Sequence, residues 1–158
     1  MKTTLPCAWL LATAIATPAL AGSPQPPNID GTYRVRGDCY NRTTEGKYVP
    51  CVAWNALTLK PSADAGRYAF ALETNMFATT QGGCSLEGEM TLRREQNAWY
   101  LIAERDETNE CPVRFKLERR AWAMELSRDD ADSEACRRPC SSNASLSTDP
   151  FPLRSRKK

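Results

Sequence analysis

From Cys84 to Arg93 the chain alternates without a break. Cys84, Leu86, Gly88, Met90 and Leu92 share one parity; Ser85, Glu87, Glu89, Thr91 and Arg93 share the other. Successive side chains of a strand point to opposite faces, so this period predicts a strand with one buried and one wet face. The same period returns in six further stretches. Tyr33 and Val35 mark it over 32–38, with Cys39 in phase, and Leu57 and Leu59 mark it over 48–60, where Pro50 and Asn55 predict an irregular start. Tyr68, Phe70 and Leu72 mark 67–73, and Trp99, Leu101 and Ala103 mark 98–105. Val113, Phe115 and Leu117 mark 111–118, and Trp122, Met124 and Leu126 mark the last strand. Segment 98–105 is apolar on both faces, as a central strand is. Turn residues separate the segments at Asp30-Gly31, 61–66, Glu95-Gln96-Asn97 and Arg119-Arg120. Residues 129–138 predict a single helical turn before Pro139, and no long amphipathic helix occurs. Short strands joined by turns predict an all-β fold: an antiparallel meander closing into a small barrel or packing as a sandwich.

The two ends differ from this body. Lys2 precedes an alanine-rich apolar run at 10–16, and Ala19-Leu20-Ala21 places small residues where a signal peptidase reads. Residues 1–21 are therefore read as a signal peptide cleaved after Ala21, which predicts a periplasmic or secreted protein. The run is too short, and interrupted by Pro18, for a transmembrane helix. Residues 22–29 are a proline-rich lead-in, 30–146 form one β domain, and 147–158 read as an irregular basic tail. The formal charge is only +2. Yet Arg154, Arg156, Lys157 and Lys158 crowd the C-terminus and leave a slightly acidic body. Such a distribution predicts no nucleic-acid footprint. The tail reads either as a solvated extension or as a contact for anionic lipid or wall polymer.

Beyond Cys7, inside the signal, six cysteines remain: Cys39, Cys51, Cys84, Cys111, Cys136 and Cys140. An even number in a short exported chain predicts disulfides and an oxidising compartment. Six cysteines allow fifteen pairings. Nearest-neighbour pairing predicts Cys39–Cys51, Cys84–Cys111 and Cys136–Cys140. A thiolate metal site would call for closely spaced Cys-x2-Cys pairs, which are absent.

The absence of histidine removes Ser-His and Cys-His nucleophile activation and the commonest metal ligand. No glycine-rich phosphate loop opens a helix. Glu87 and Glu89, about 7 Å apart on one strand face, could act as a carboxylate pair in sugar hydrolysis. Their alternation with apolar residues reads instead as a solvated face. The expectation is a non-catalytic protein without metal or cofactor.

Binding is then expected in loops. One candidate is the polar tip at 41–47, with Arg42, Thr43, Thr44 and Lys47 suited to an acidic cleft. The other is the 75–83 loop, where Met76 and Phe77 lie beside Gln81 and a Gly82-Gly83 pair. Trp54, Trp99, Tyr100 and Trp122 all fall within predicted strands and are expected in the core.

The ending Cys136-Arg137-Arg138-Pro139-Cys140-Ser141-Ser142-Asn143-Ala144-Ser145-Leu146, followed by Pro150-Phe151-Pro152, resembles the close of small periplasmic proteins of Gram-negative bacteria grouped with lysozyme inhibitors. The resemblance covers roughly the last 20 residues and the cysteine-bearing β pattern. It implies a periplasmic inhibitor whose partner is a lysozyme-type hydrolase. The chain lacks the lipid-anchor cysteine and the Ser-x-x-x-Tyr-x-Cys strand of the membrane-bound inhibitors, so no inhibitory residue carries over. A small-ligand carrier and a structural envelope protein are the alternatives. Large core residues such as Tyr33, Phe70, Trp99, Phe115 and Trp122 fill a small barrel and favour the binding protein.

Overall fold

The computed structural model describes residues 26–37, 39–75, 82–106, 109–141, 144 and 146–158. Its longest strand is β6 (Gly83–Glu95), the segment whose alternation is cleanest. On one side β6 pairs along most of its length with β5 (Arg67–Asn75), Phe70 opposite Gly88 and Leu72 opposite Leu86. A Cβ on Gly88 would stand 3.1 Å from the Phe70 ring, so the glycine makes room for that ring. On its other side β6 changes partner. Its second half pairs with β7 (Ala98–Ala103), and its first residues receive the chain at 139–141.

Eight strands form one antiparallel sheet in the order β1-β4-β5-β6-β7-β8-β9-β10. The remaining members are β1 (Gly31–Gly37), β4 (Ala53–Pro61), β8 (Val113–Glu118), β9 (Ala121–Glu125) and β10 (Phe151–Pro152). A separate two-stranded sheet joins β2 (Tyr40–Arg42) to β3 (Tyr48–Pro50). Strand twist curls the large sheet until its ends meet. β10 pairs with β9, a 3-10 turn follows over Leu153–Ser155, and Lys157 then exchanges backbone hydrogen bonds with Thr32 of β1 at 2.8 and 2.9 Å. The sheet is a nearly closed barrel. The segment expected to be an irregular tail therefore supplies the closing seam. Its strand is two residues long, below the length at which a period can be read. Gly31 adopts φ +129° at that seam, and a Cβ there would lie 2.6 Å from the Lys157 carbonyl. Only glycine suits both requirements.

The predicted apolar parity faces inward throughout. Tyr33, Leu57, Leu72, Leu101, Phe115, Trp122 and Phe151 are almost fully buried and fill the barrel. The Tyr33 hydroxyl donates to the Ile29 carbonyl at 2.7 Å. Burial raises its pKa above the ordinary tyrosine value, with Trp122 and Arg156 offsetting part of that rise. Trp99 packs partly buried against the core, and Tyr100 faces outward under the Arg114 guanidinium, 3.8 Å from its ring centroid. Trp54 is not a core residue: it is 53% exposed.

Two of the three expected disulfides are different pairs. Cys39–Cys51 forms, but Cys84 bonds Cys140 and Cys111 bonds Cys136. The reason is the partner switch of β6. After β9 the chain forms two short helices, α1 (Arg128–Ala131) and α2 (Glu134–Arg137), capped by Ser127 and Ser133, and Cys136 of α2 bonds Cys111. The residues after α2 add to β6, Ser85 N–H donating to the Pro139 carbonyl and Ser141 N–H to the Gly83 carbonyl, both at 2.9 Å. That alignment sets Cys140 opposite Cys84. Nearest-neighbour pairing fails because it assumes that local loops close first.

The β8–β9 connection is a two-residue turn with Arg119 at φ 44° and Arg120 at φ 69°. Both positions demand the left-handed region, where asparagine and glycine are at ease and arginine is not. Replacing Arg119-Arg120 with Asn-Gly is expected to stabilise the protein by about 1 kcal/mol, read as a higher urea midpoint at unchanged slope.

Candidate functional site

The β2–β3 hairpin is built by one bridge and one turn. Cys39 is buried and bonded to Cys51, whose N–H donates to the Cys39 carbonyl at 2.9 Å. At the tip Gly46 takes φ 81°, Gly46 N–H donates to the Thr43 carbonyl, and Thr43 N–H donates to the Lys47 carbonyl. The Thr43 hydroxyl also accepts from Lys47 N–H at 3.2 Å. The hairpin root is held by buried Asn55, whose Oδ1 accepts from Asn75 N–H at 2.8 Å and whose Nδ2 donates to Thr148 Oγ1 at 3.0 Å. A rigid base thus carries a short arm whose strand residues are all at least partly exposed.

The exposed large hydrophobic side chains among the described residues are Tyr40, Tyr48, Val49, Val52 and Trp54, and all belong to this arm and its root. Tyr40 lies opposite Pro50, and Arg42 lies opposite Tyr48. Trp54 stands on the outer barrel face with Arg36 as its cross-strand neighbour. Aromatic side chains, arginine and aliphatic surface side by side are the composition of binding hot spots.

Arg42, Thr43, Thr44 and Lys47, expected from sequence as a polar tip, are brought together on this hairpin. Lys47 pairs with Glu45 at 3.3 Å, an exposed contact of little energetic weight. Sequence reasoning missed the aromatic flank beside them. The signal was present: Tyr48, Pro50, Val52 and Trp54 share the parity of Thr58 and Lys60, the wet face of the segment. Met76, Phe77 and Gln81, the second expected loop, lie outside the described residues, as does the signal peptide. Glu87 and Glu89 sit exposed on the outer barrel face, where Glu89 accepts from Arg67 at 2.6 Å.

All six described cysteines are consumed in disulfides, as in proteins that fold outside the cytoplasm. Among the described residues no helix is long and apolar enough to cross a membrane. Comparison with protein-family models, with curated proteins and with solved structures gives no match.

Proposed function

We propose that this is a non-catalytic, periplasmic protein-binding module that blocks the cleft of a partner enzyme with its β2–β3 hairpin. One observation carries the reading: among the described residues the exposed large hydrophobic side chains are gathered on the disulfide-closed hairpin and its root instead of scattered. A projecting arm fits a concave site, and its preorganisation lowers the entropic cost of docking. The weak C-terminal resemblance makes a lysozyme-type hydrolase the first partner to test. A barrel filled with side chains suits a carrier poorly, since a carrier needs a chamber.

Residues 22–158, oxidised, are titrated against lysozymes of several structural types while lysis of cell-wall suspensions is followed. At least one enzyme is expected to lose activity at one-to-one stoichiometry. Tyr48→Ser and Trp54→Ala are each expected to weaken that inhibition at least tenfold, the scale of a hot-spot side chain, with the urea midpoint unchanged. No inhibition of any enzyme at stoichiometric excess defeats the inhibitor reading. Inhibition that both variants leave intact defeats the hairpin as its site.

A further inference from the structure

An antiparallel meander delivers alternate turns to the same end of a barrel. The end opposite the hairpin collects the β4–β5, β6–β7 and β8–β9 turns together with the closing C-terminal segment. Its carboxylates are largely neutralised on the spot. Asp64 pairs with Arg67, Glu95 with Arg114 and Glu118 with Lys116. Its outermost cations are not: Lys60, Arg119, Arg120, Arg154, Lys157 and Lys158 are exposed and form no ion pair among the described residues. Arg34, Lys60, Lys157 and Lys158 ring one shallow depression of about 390 Å³, with Asp30 as its acidic member. Arg119 and Arg120 hold their charges on the left-handed turn described above, at a cost that Asn-Gly would avoid.

We propose that this end of the barrel rests on an anionic phospholipid surface and points the hairpin away from it. Charge complementarity selects the occupant. None of the exposed large hydrophobics among the described residues lies at this end, so it lacks the anchors of a protein hot spot and the stacking platform for single-stranded nucleic acid. Adjacent turns at a barrel end form a broad, blunt array, which a plane engages more fully than a cylinder. Each lysine or arginine near an anionic bilayer strengthens binding roughly fivefold, within a Debye length.

The test uses residues 22–158, which contain every described element, and sedimentation with vesicles of 30% phosphatidylglycerol in phosphatidylcholine. Binding is expected at 50 mM salt, at least tenfold weaker at 200 mM, and absent on pure phosphatidylcholine. Lys157→Gln/Lys158→Gln should weaken it at least tenfold; only side chains change, so the backbone seam with Thr32 stays. Arg128→Gln/Arg137→Gln removes the same charge near the other end and should change binding less than twofold. Replacement of Arg119-Arg120 by Asn-Gly should weaken binding while raising the urea midpoint, which separates lost contact from lost fold. No binding to the anionic vesicles, equal losses in the two lysine and arginine double variants, or tighter binding to polyglutamate or duplex DNA of matched charge would each overturn the proposal. The hairpin reading stands or falls separately, on lysozyme inhibition.

Discussion

Replacing Cys84 and Cys140 with serine is expected to lower the unfolding free energy by about 4 kcal/mol, the largest loss for any one bridge. The bridges span 12, 25 and 56 residues, and the entropy removed from the unfolded chain grows with the loop closed. Cys84–Cys140 closes the longest loop, which contains β7, β8, β9 and both short helices. It also fastens the 139–141 segment to the part of β6 that β7 leaves uncovered, so its loss frees the hydrogen bonds around Ser85 and Ser141. For a domain whose total stability is on the order of 5–15 kcal/mol, that is a large fraction. Urea unfolding of the double variant against the parent measures it. A loss below about 1 kcal/mol would show that the segment is held by other means. Peptide mapping of the unreduced protein checks the pairing directly: a fragment joining Cys84 to Cys111 would contradict the β6–Pro139 alignment. The Cys39–Cys51 bridge is a contrasting case. It lies in the arm outside the barrel, so its removal should act mainly on hairpin order and partner binding.

How far the sequence could be read depended on the length of the signal. Alternation over 84–93 reports which side chains face the core because a strand's period is two and its apolar face must be buried. The inward set from Tyr33 to Trp122 follows from that alone. The same rule applied to Trp54 would have placed it outside, since it keeps step with Thr58 and Lys60; its aromatic character suggested the core instead. The disulfide partners of Cys84 and Cys111 were not readable. They depend on where β7 ends against β6, a tertiary register that no local pattern encodes. The hairpin tip was legible as polar residues around a glycine, but its aromatic flank is split between two short strands and an irregular joint. The cationic barrel end was hidden for a related reason. Its members come from three places in the chain and meet only because the meander returns to the same end at every second turn.

The C-terminal segment gives the sharpest contrast between the two descriptions, and Phe151→Ala tests it. An irregular tail would tolerate the change at no cost. In the barrel Phe151 is fully buried, pairs with Trp122 across β9 and β10, and meets the Phe115 ring at a centroid distance of 6.2 Å with the planes tilted by 58°. Truncating a phenylalanine in such a site costs about 3–5 kcal/mol, from lost transfer energy and an unfilled cavity. The tilted ring pair adds roughly 1 kcal/mol within that range. The effect should also be non-local. β10 is two residues long and holds its place between β9 and β1 through this ring, Leu153 packed on the core and a few hydrogen bonds, Leu153 N–H to Arg120, Lys157 N–H to Thr32 and Arg34 N–H to the Ser155 hydroxyl among them. Loosening it exposes the edges of both β1 and β9, so amides of Thr32 and Trp122 should exchange with solvent faster, while those of Leu72 and Leu86 in the middle of the sheet keep more of their protection. A change in the urea midpoint worth less than about 1 kcal/mol, with exchange at Thr32 unaltered, would return residues 147–158 to the status of a tail. It would also leave the barrel open between its first and ninth strands.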